Sequence, residues 1–210
     1  MITLKELRQR ARNSLGNDIL CETWLYALLP CAIVAIAFAV LELSYVLALA
    51  SLFIGGCLEF GLCTYFLNNA RGQKNKSDLK PLLSGFTEDI GRNMIAGFLV
   101  SVFVMMWSLL LIIPGVVKGY AYSMTFFIMR DNPNISAYDA MKESEKMMKG
   151  YKMKAFLLDL SFIGWLIVGA LCLGVGILWV APYMLSAKTE LYEYIRLNPI
   201  NTEDTTTANA

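Results

Sequence analysis

The stretch that decides the fold is FLLDLSFIGWLIVGALCLGVGILWVAPY, from Phe156 to Tyr183. It is almost wholly apolar, yet it contains Asp159, four glycines and Pro182. Apolar sequence continues to about residue 187, and a single α-helix of that length would be on the order of 50 Å long. The hydrocarbon core of a bilayer is only roughly 30 Å thick. The glycine-rich run LGVG (173–176) near the middle therefore predicts two short helices that turn there.

The composition of the whole chain indicates the same class of protein. Of its 210 residues, 57% are hydrophobic and 17% are charged, whereas soluble domains are about 45–50% apolar and about 25% charged. Two further apolar runs, 24–41 and 46–67, are long enough to span a membrane and are close enough to form a hairpin. A third long run, 94–129, is interrupted by Pro114-Gly115. The sequence thus predicts an all-α, polytopic transmembrane bundle of about six spans in three hairpins.

The distribution of basic residues supports this count. With six spans, the N-terminal segment, residues 68–93, residues 130–154 and the C-terminus share one side and hold every Lys and Arg except Lys118. If 94–129 and 156–187 each crossed once, the basic segment 130–154 would lie outside. Cytoplasmic loops are rich in Lys and Arg, so the pattern predicts a cell-membrane protein with both termini in the cytoplasm. The main alternative is a shallow re-entrant pair in place of one hairpin.

Two segments on the predicted cytoplasmic side have helical periodicity. In 2–15 the apolar residues recur every three to four positions, and the basic residues lie mostly off that stripe, which predicts an amphipathic helix on the membrane surface. Residues 136–154 predict a second such helix, with Ser136 and Asp139 as its capping residues. Within it, Glu145 and Lys149 are four residues apart and are expected to pair.

The remaining expectations concern domains and partners. Residues 1–195 are predicted to form a single integral membrane domain, followed by a polar tail, 196–210, that is expected to be disordered. The expected partners are membrane lipids and a protein partner or a second copy of the chain. The basic residues fit membrane orientation and anionic lipid contact better than nucleic-acid binding.

No pattern typical of catalysis is visible. The chain has no histidine, which removes the commonest general base and transition-metal ligand. Its five cysteines form no C-x-x-C pair and lie mostly in apolar runs, where a buried thiol is the simplest interpretation. No nucleophile–base pair, metal-ligand cluster or dinucleotide fingerprint is present. We therefore predict no catalytic residue, no metal, no cofactor and no enzymatic activity.

Three polar residues in or beside apolar runs are candidate site residues, because such groups are costly in hydrocarbon. Glu59 lies past the middle of the second run, where it can accept a proton, pair with a cation or hydrogen-bond across helices. Neighbouring glycines at 55, 56 and 61 would let another helix approach closely. Lys118 is expected near the outer face, where its side chain reaches the interface. Asp159 is expected at the inner boundary, as a cap or as the partner of a lysine near Lys154.

The chain also resembles a bacterial integral-membrane family known as domain of unknown function 975. The resemblance extends from about residue 3 to 195. It depends on landmark stretches that are, in chain order, LKELRQRAR (4–12), LEFG (58–61), ARG (70–72), DLKPLLSGF (78–86), IPG (113–115), DNP (131–133), DLSFIGW (159–165), LGVGILWVAPY (173–183) and LYEY (191–194). It implies a multi-pass membrane protein and assigns no reaction and no site residue.

Two functions remain open at this point. One is a membrane scaffold or accessory protein that binds lipid or a partner through its cytoplasmic helices. The other is a small transporter or channel, with Glu59 lining the path. A Glu59 that faces a polar cavity would favour transport, whereas a Glu59 packed dry between helices would favour a structural role.

Overall fold

The structure is a computed structural model that describes residues 3–15, 22–41, 45–72, 79–171 and 175–198. Within these ranges every regular element is an α-helix, which confirms the all-α prediction. In chain order the helices are α1 (Leu4–Leu15), α2 (Glu22–Leu41), α3 (Tyr45–Ala70), α4 (Lys80–Thr87), α5 (Ile90–Leu110), α6 (Ile112–Tyr122), α7 (Thr125–Asp131), α8 (Ala137–Met147), α9 (Lys152–Leu160), α10 (Ile163–Leu171) and α11 (Val175–Leu197).

Helix α3 is the central element, and glycines set its closest contacts. A Cβ at Gly61 would collide with the carbonyl oxygen of Leu82 in α4, and a Cβ at Gly56 would lie 2.9 Å from the Cα of Gly97 in α5. In the same way, Gly85 of α4 lies against the backbone of α3. Backbones can approach this closely only where side chains are absent, so two of the three glycines singled out near Glu59 do permit close helix packing.

The third apolar run breaks earlier than predicted. Helix α5 ends at Leu110, and Leu111 has extended dihedral angles before α6 begins at Ile112. Pro114 therefore lies in the first turn of α6, where a missing N–H group costs no helical hydrogen bond. Gly115 does contribute to the reversal, because a Cβ there would meet Ser108 of α5.

The outer surface of this hairpin is strongly apolar. Met105, Leu109, Ile112 and Ile113 are between 71% and 87% exposed. In the described part of the chain, two segments have the length and apolarity of a membrane span, Ile90–Leu109 and Ile112–Asp131. They give limited support for membrane association, and the count of six spans stays a prediction.

The segment quoted at the outset forms more elements than predicted. Helices α9 and α10 are separated by a break at Ser161–Phe162, and α10 packs against α11. The predicted turn falls partly on residues 172–174, which lie outside the described residues. In the described part of the chain, Gly164 has no neighbouring atom within 4 Å of a Cβ position, so no other helix packs closely against it there.

The two predicted surface helices pack on the protein instead of presenting their apolar residues to a membrane. In α1, Leu7, Ala11 and Leu15 are 0% exposed. In α8, Met141 is buried, and Met148, just beyond its end, is buried as well. Helix α1 forms at the predicted position. The second predicted helix, 136–154, is shorter than expected, because α8 ends at Met147 and residues 152–154 belong to α9. The predicted Ser136 cap is present, with its Oγ accepting a hydrogen bond of 3.1 Å from the Asp139 N–H.

Helix α11 continues further than the predicted domain boundary at residue 195. It ends at Leu197, and its final turns bury Leu191, Tyr192 and Ile195. Most of the tail that was expected to be disordered, from residue 199 onward, lies outside the described residues. Of the five cysteines, Cys31, Cys57 and Cys63 are buried free thiols, as predicted, and the other two fall outside the described residues.

Candidate functional site: Asp159, Lys188 and Glu59

Asp159 is the centre of a polar group inside the bundle. Its Oδ2 accepts a hydrogen bond of 3.0 Å from the Tyr120 hydroxyl of α6 and lies 3.3 Å from the Lys188 ammonium of α11. Its Oδ1 is buried and has no hydrogen-bond partner among the described residues. Buried polar atoms are nearly always paired, so this oxygen is an acceptor available to a ligand, an ion or a proton.

A cleft of about 330 Å³ opens beside this carboxylate. Its volume is at the lower end of the range that small-molecule sites occupy, about 300–1,000 Å³. The walls are mainly apolar or small, and the charged groups of Asp159 and Lys188 are both in the lining. The lining residues are Val104, Ser108, Gly115, Val116, Gly119, Tyr120, Ser123, Asp159 and Lys188.

Glu59 approaches the same lysine from α3. Its side chain is exposed, although Leu58 and Phe60 on either side are buried. The charge of Lys188 acts on the Glu59 carboxylate, and in the described part of the chain Glu59 makes no hydrogen bond or ion pair. Lys188 therefore forms an ion pair with Asp159 of α9, and its charge also acts on Glu59 of α3. Glu59 is not packed dry between helices with its oxygens bonded to neighbours, and it is not among the residues that line the cleft at Asp159.

Lys118, the third predicted residue, belongs to a different contact. Its ammonium lies 2.5 Å from the Glu145 carboxylate of α8 and 5.4 Å from the ring centre of Trp107. Glu145 thus pairs with Lys118. The helical spacing had predicted a pair of Glu145 with Lys149, and this prediction is wrong. The pair fastens α6 to α8, away from the cleft at Asp159.

The sequence analysis did not identify two residues of the site, Lys188 and Tyr120. Asp159 was expected to pair near Lys154, but its partner is Lys188, and Lys154 lies over the rings of Tyr151 and Tyr194. A signal for Lys188 exists, because it is the first charged residue after the apolar run that begins at Leu160. Tyr120 carries no comparable signal.

A second charged group joins the ends of three helices. The Arg71 guanidinium donates two hydrogen bonds of 2.7 Å to Asp131 and a third, also 2.7 Å, to Glu193. Tyr192 donates a hydrogen bond of 2.8 Å to Asp131. These residues come from the landmark stretches ARG, DNP and LYEY, which are far apart in sequence. The hydrogen bonds to both carboxylates raise the pKa of Arg71, so it stays charged.

The comparison with protein families identifies part of the chain. Residues 109–198 match the family described as "Protein of unknown function (DUF975)". The matched segment covers less than half of the chain and is shorter than the stretch from about residue 3 to 195 over which the sequence resembles this family. The segment contains Tyr120, Asp159 and Lys188 but not Glu59. Comparison with curated proteins and with solved structures gave no match.

Proposed function

We propose that the protein is a multi-pass, non-enzymatic membrane protein that moves a small cation, the proton included, past Glu59, Lys188 and Asp159. The observation that carries the proposal is the ion pair of Lys188 with Asp159, whose buried Oδ1 has no hydrogen-bond partner among the described residues, together with the charge of Lys188 that acts on Glu59. Two negative charges and one positive charge leave one negative charge in excess, which favours a cation over an anion. Ionisable groups within a membrane protein typically mark ion or proton pathways.

The exposed apolar surface supports residence in a membrane. Soluble monomers rarely expose a continuous apolar patch of this kind, and the tip of the α5–α6 hairpin exposes several large aliphatic side chains at once. The Arg71–Asp131–Glu193 group joins the end of α3 and the start of segment 130–154 to the last turns of α11. The positive-inside rule predicts that this group lies on the cytoplasmic side, together with both termini.

The α5–α6 hairpin fits the re-entrant alternative better than a full crossing. Helix α8 exposes Lys142, Lys146 and Lys149 and therefore belongs outside the hydrocarbon. Its Glu145 reaches Lys118, which is six residues from the start of α6. Six residues of helix rise about 9 Å, far less than the roughly 30 Å of the hydrocarbon core.

The scaffold function receives less support from the structure. It required α1 and α8 to offer apolar faces to a membrane or a partner. Those faces are occupied by the protein itself, as the burial of Leu7, Ala11 and Met141 illustrates. What the two helices still expose is mainly charged.

The proposal can be tested by flux into vesicles. The full chain is reconstituted into liposomes that contain a pH-sensitive or a sodium-sensitive dye, and an electrical potential drives protons, or added sodium or ammonium ions, inward. We expect the protein to raise the flux of one of these cations above that of empty vesicles. Glu59→Gln should lower this flux at least about tenfold, since it removes the one carboxylate that has no fixed partner.

The matched control is Glu143→Gln, which removes an exposed carboxylate of α8 that pairs only with Lys146. It should leave the flux unchanged. A flux no greater than that of empty vesicles for all three cations, or equal fluxes for Glu59→Gln and the unmodified protein, would refute the proposal.

A further inference from the structure

A groove of about 530 Å³ lies between α1 and α11, and it shares no residue with the cleft at Asp159. Five of its six lining residues come from α1, and three of those are basic. The lining consists of Lys5, Arg8, Gln9, Arg12, Asn13 and Tyr183. The groove contains no acidic side chain.

The apolar residues of α1 fix which of its faces lines the groove. Because Leu7, Ala11 and Leu15 are fully buried, the helix cannot rotate about its axis without exposing them. Residues three, four and seven apart lie on one side of a helix, and this places Lys5, Arg8 and Arg12 together.

Backbone contacts hold α1 against α11 at this position. The Tyr183 hydroxyl donates a hydrogen bond of 3.3 Å to the Arg8 carbonyl, and the Ser186 hydroxyl donates one of 3.4 Å to the Ala11 carbonyl. Since both acceptors are main-chain atoms, the side chains of Arg8 and Arg12 are not needed for this docking. Both arginines are close enough to the Tyr183 hydroxyl for their charges to act on it.

Arg10 does not line the groove, so the basic residues of α1 fall into two groups. Its charge acts on Glu190 of α11, a half-buried carboxylate. Arg10 therefore compensates a charge within the protein. Lys5, Arg8 and Arg12 line the groove, and in the described part of the chain none of the residues that line it is acidic.

We infer that this groove binds the phosphate-containing headgroup of an anionic lipid. Arg and Lys side chains recognise phosphate through charge-assisted hydrogen bonds, and the Tyr183 hydroxyl adds a polar neighbour. Tyr183 lies near the end of the apolar run that continues to about residue 187, and tyrosines near such ends typically lie at the membrane–water interface. The groove thus combines phosphate-binding groups with the depth at which headgroups lie.

The apolar part of α11 decides between a lipid and a soluble phosphate. The part of α11 that precedes Tyr183 is apolar in sequence, so a headgroup in the groove would lie next to the part of the helix that the proposed membrane residence places in hydrocarbon. A soluble phosphate compound would gain nothing from that surface. The inference depends on the membrane residence stated under the proposed function but not on the transport of a cation.

The test measures lipid binding to the full-length protein in mild detergent by native mass spectrometry. Phosphatidylglycerol is compared with phosphatidylcholine of the same chain length. We expect the unmodified protein to bind phosphatidylglycerol more tightly. The double variant Arg8→Gln/Arg12→Gln should lose about tenfold or more in that affinity, because each basic group near an anionic lipid contributes measurably.

The matched control, Lys146→Gln/Lys149→Gln, removes the same number of charges from α8 and the turn that follows it. It should leave the affinity within about twofold. The single variant Arg12→Gln, at an exposed position, should show part of the loss and guards against misfolding of the double variant. Equal losses in both double variants would overturn the inference, as would displacement of the lipid by equimolar glycerol phosphate. Since no flux is measured, a failure of the transport proposal would not affect the result.

Discussion

At the break between α6 and α7, Ser144 of α8 supplies hydrogen bonds that the helix backbone lacks. Its hydroxyl donates a bond of 2.7 Å to the Ala121 carbonyl and accepts one of 3.1 Å from the Met124 N–H. Ser144 is itself 0% exposed. Buried main-chain groups must find partners, so one serine both satisfies the break and positions α8.

Asn93 has a comparable role at the start of α5. Its side-chain amide donates hydrogen bonds of 3.0 Å to the Gly85 carbonyl and 2.8 Å to the Glu88 carbonyl. These two carbonyls belong to the last turn of α4 and the residue after it, where a helix leaves carbonyl groups without internal partners. The turn between α4 and α5 is therefore held by a side chain that hydropathy does not reveal.

Glu190 should make the stability of the protein depend on pH. Burial raises its pKa above the ordinary carboxyl value, the charge of Arg10 lowers it, and the charge of Glu193 raises it further. The folded protein therefore holds the Glu190 proton more tightly than the unfolded chain does. This contribution favours the folded state at low pH and is lost as the pH rises from the ordinary carboxyl pKa through the raised one.

We therefore expect the thermal stability of the Glu190→Gln protein to fall less than that of the unmodified protein as the pH rises over that interval. The measurement is the midpoint of thermal unfolding in detergent, from pH about 4 to about 8. Glu143→Gln, at an exposed position, should leave the pH dependence as it is in the unmodified protein. If the two variants gave the same pH dependence, Glu190 would not be the titrating group.

At the scale of single elements, the glycines of α3 and α10 give opposite expectations for the same substitution. Gly61→Ala places a Cβ against the main chain of Leu82, which cannot move aside as a side chain can. We expect a loss of about 1–3 kcal/mol in the free energy of unfolding. Gly164→Ala adds a methyl group in open space on α10, so helix propensity should make it neutral or stabilising by up to about 1 kcal/mol.

Both variants can be compared by denaturant or thermal unfolding in the same detergent. The comparison isolates the close approach of α3 and α4, because each substitution adds one methyl group to a helix. A Gly61→Ala protein as stable as Gly164→Ala would show that the two helices do not pack as the structure has them.

The helices were largely predictable because their signals are local. Apolar runs placed α2 and α3, periodicity placed α1, and a serine with an aspartate three residues later located the start of α8. The break at Leu111 was misplaced because proline and glycine were taken as its cause, whereas Pro114 is well tolerated in a first turn. The break at Ser161–Phe162 has no proline or glycine at all and follows from packing.

At the scale of the whole molecule, residues that are distant in sequence form the site, and this limited the prediction. Glu59 and Asp159 were recognised individually as polar residues in apolar surroundings. That both approach Lys188 depends on how α3, α9 and α11 pack, and no local pattern encodes this packing. The charge count likewise grouped the basic segments on one side, but it did not predict that Lys118 of α6 pairs with Glu145 of α8.

The Arg71 group should be the main electrostatic link between the end of α3, the end of α7 and the last turns of α11. Asp131 and Glu193 are only 15% and 16% exposed, so removing Arg71 leaves two poorly solvated carboxylates beside each other. Arg196 remains as a partial substitute, 3.6 Å from Asp131 and 2.9 Å from Glu193. We therefore expect Arg71→Ala to cost about 2 kcal/mol in the free energy of unfolding, below the full loss of a buried partner.

Arg130→Ala is the matched control, because Arg130 is as exposed as Arg71 but pairs with Glu88, whose side chain is 50% exposed. Exposed ion pairs contribute less than about 1 kcal/mol. Unfolding of both variants in one detergent should therefore show Arg71→Ala as clearly less stable. Since Arg71 connects α3 to α7 and α11, limited proteolysis should also cut the Arg71→Ala protein faster near residue 131. Equal stability of the two variants would mean that packing alone joins these helices.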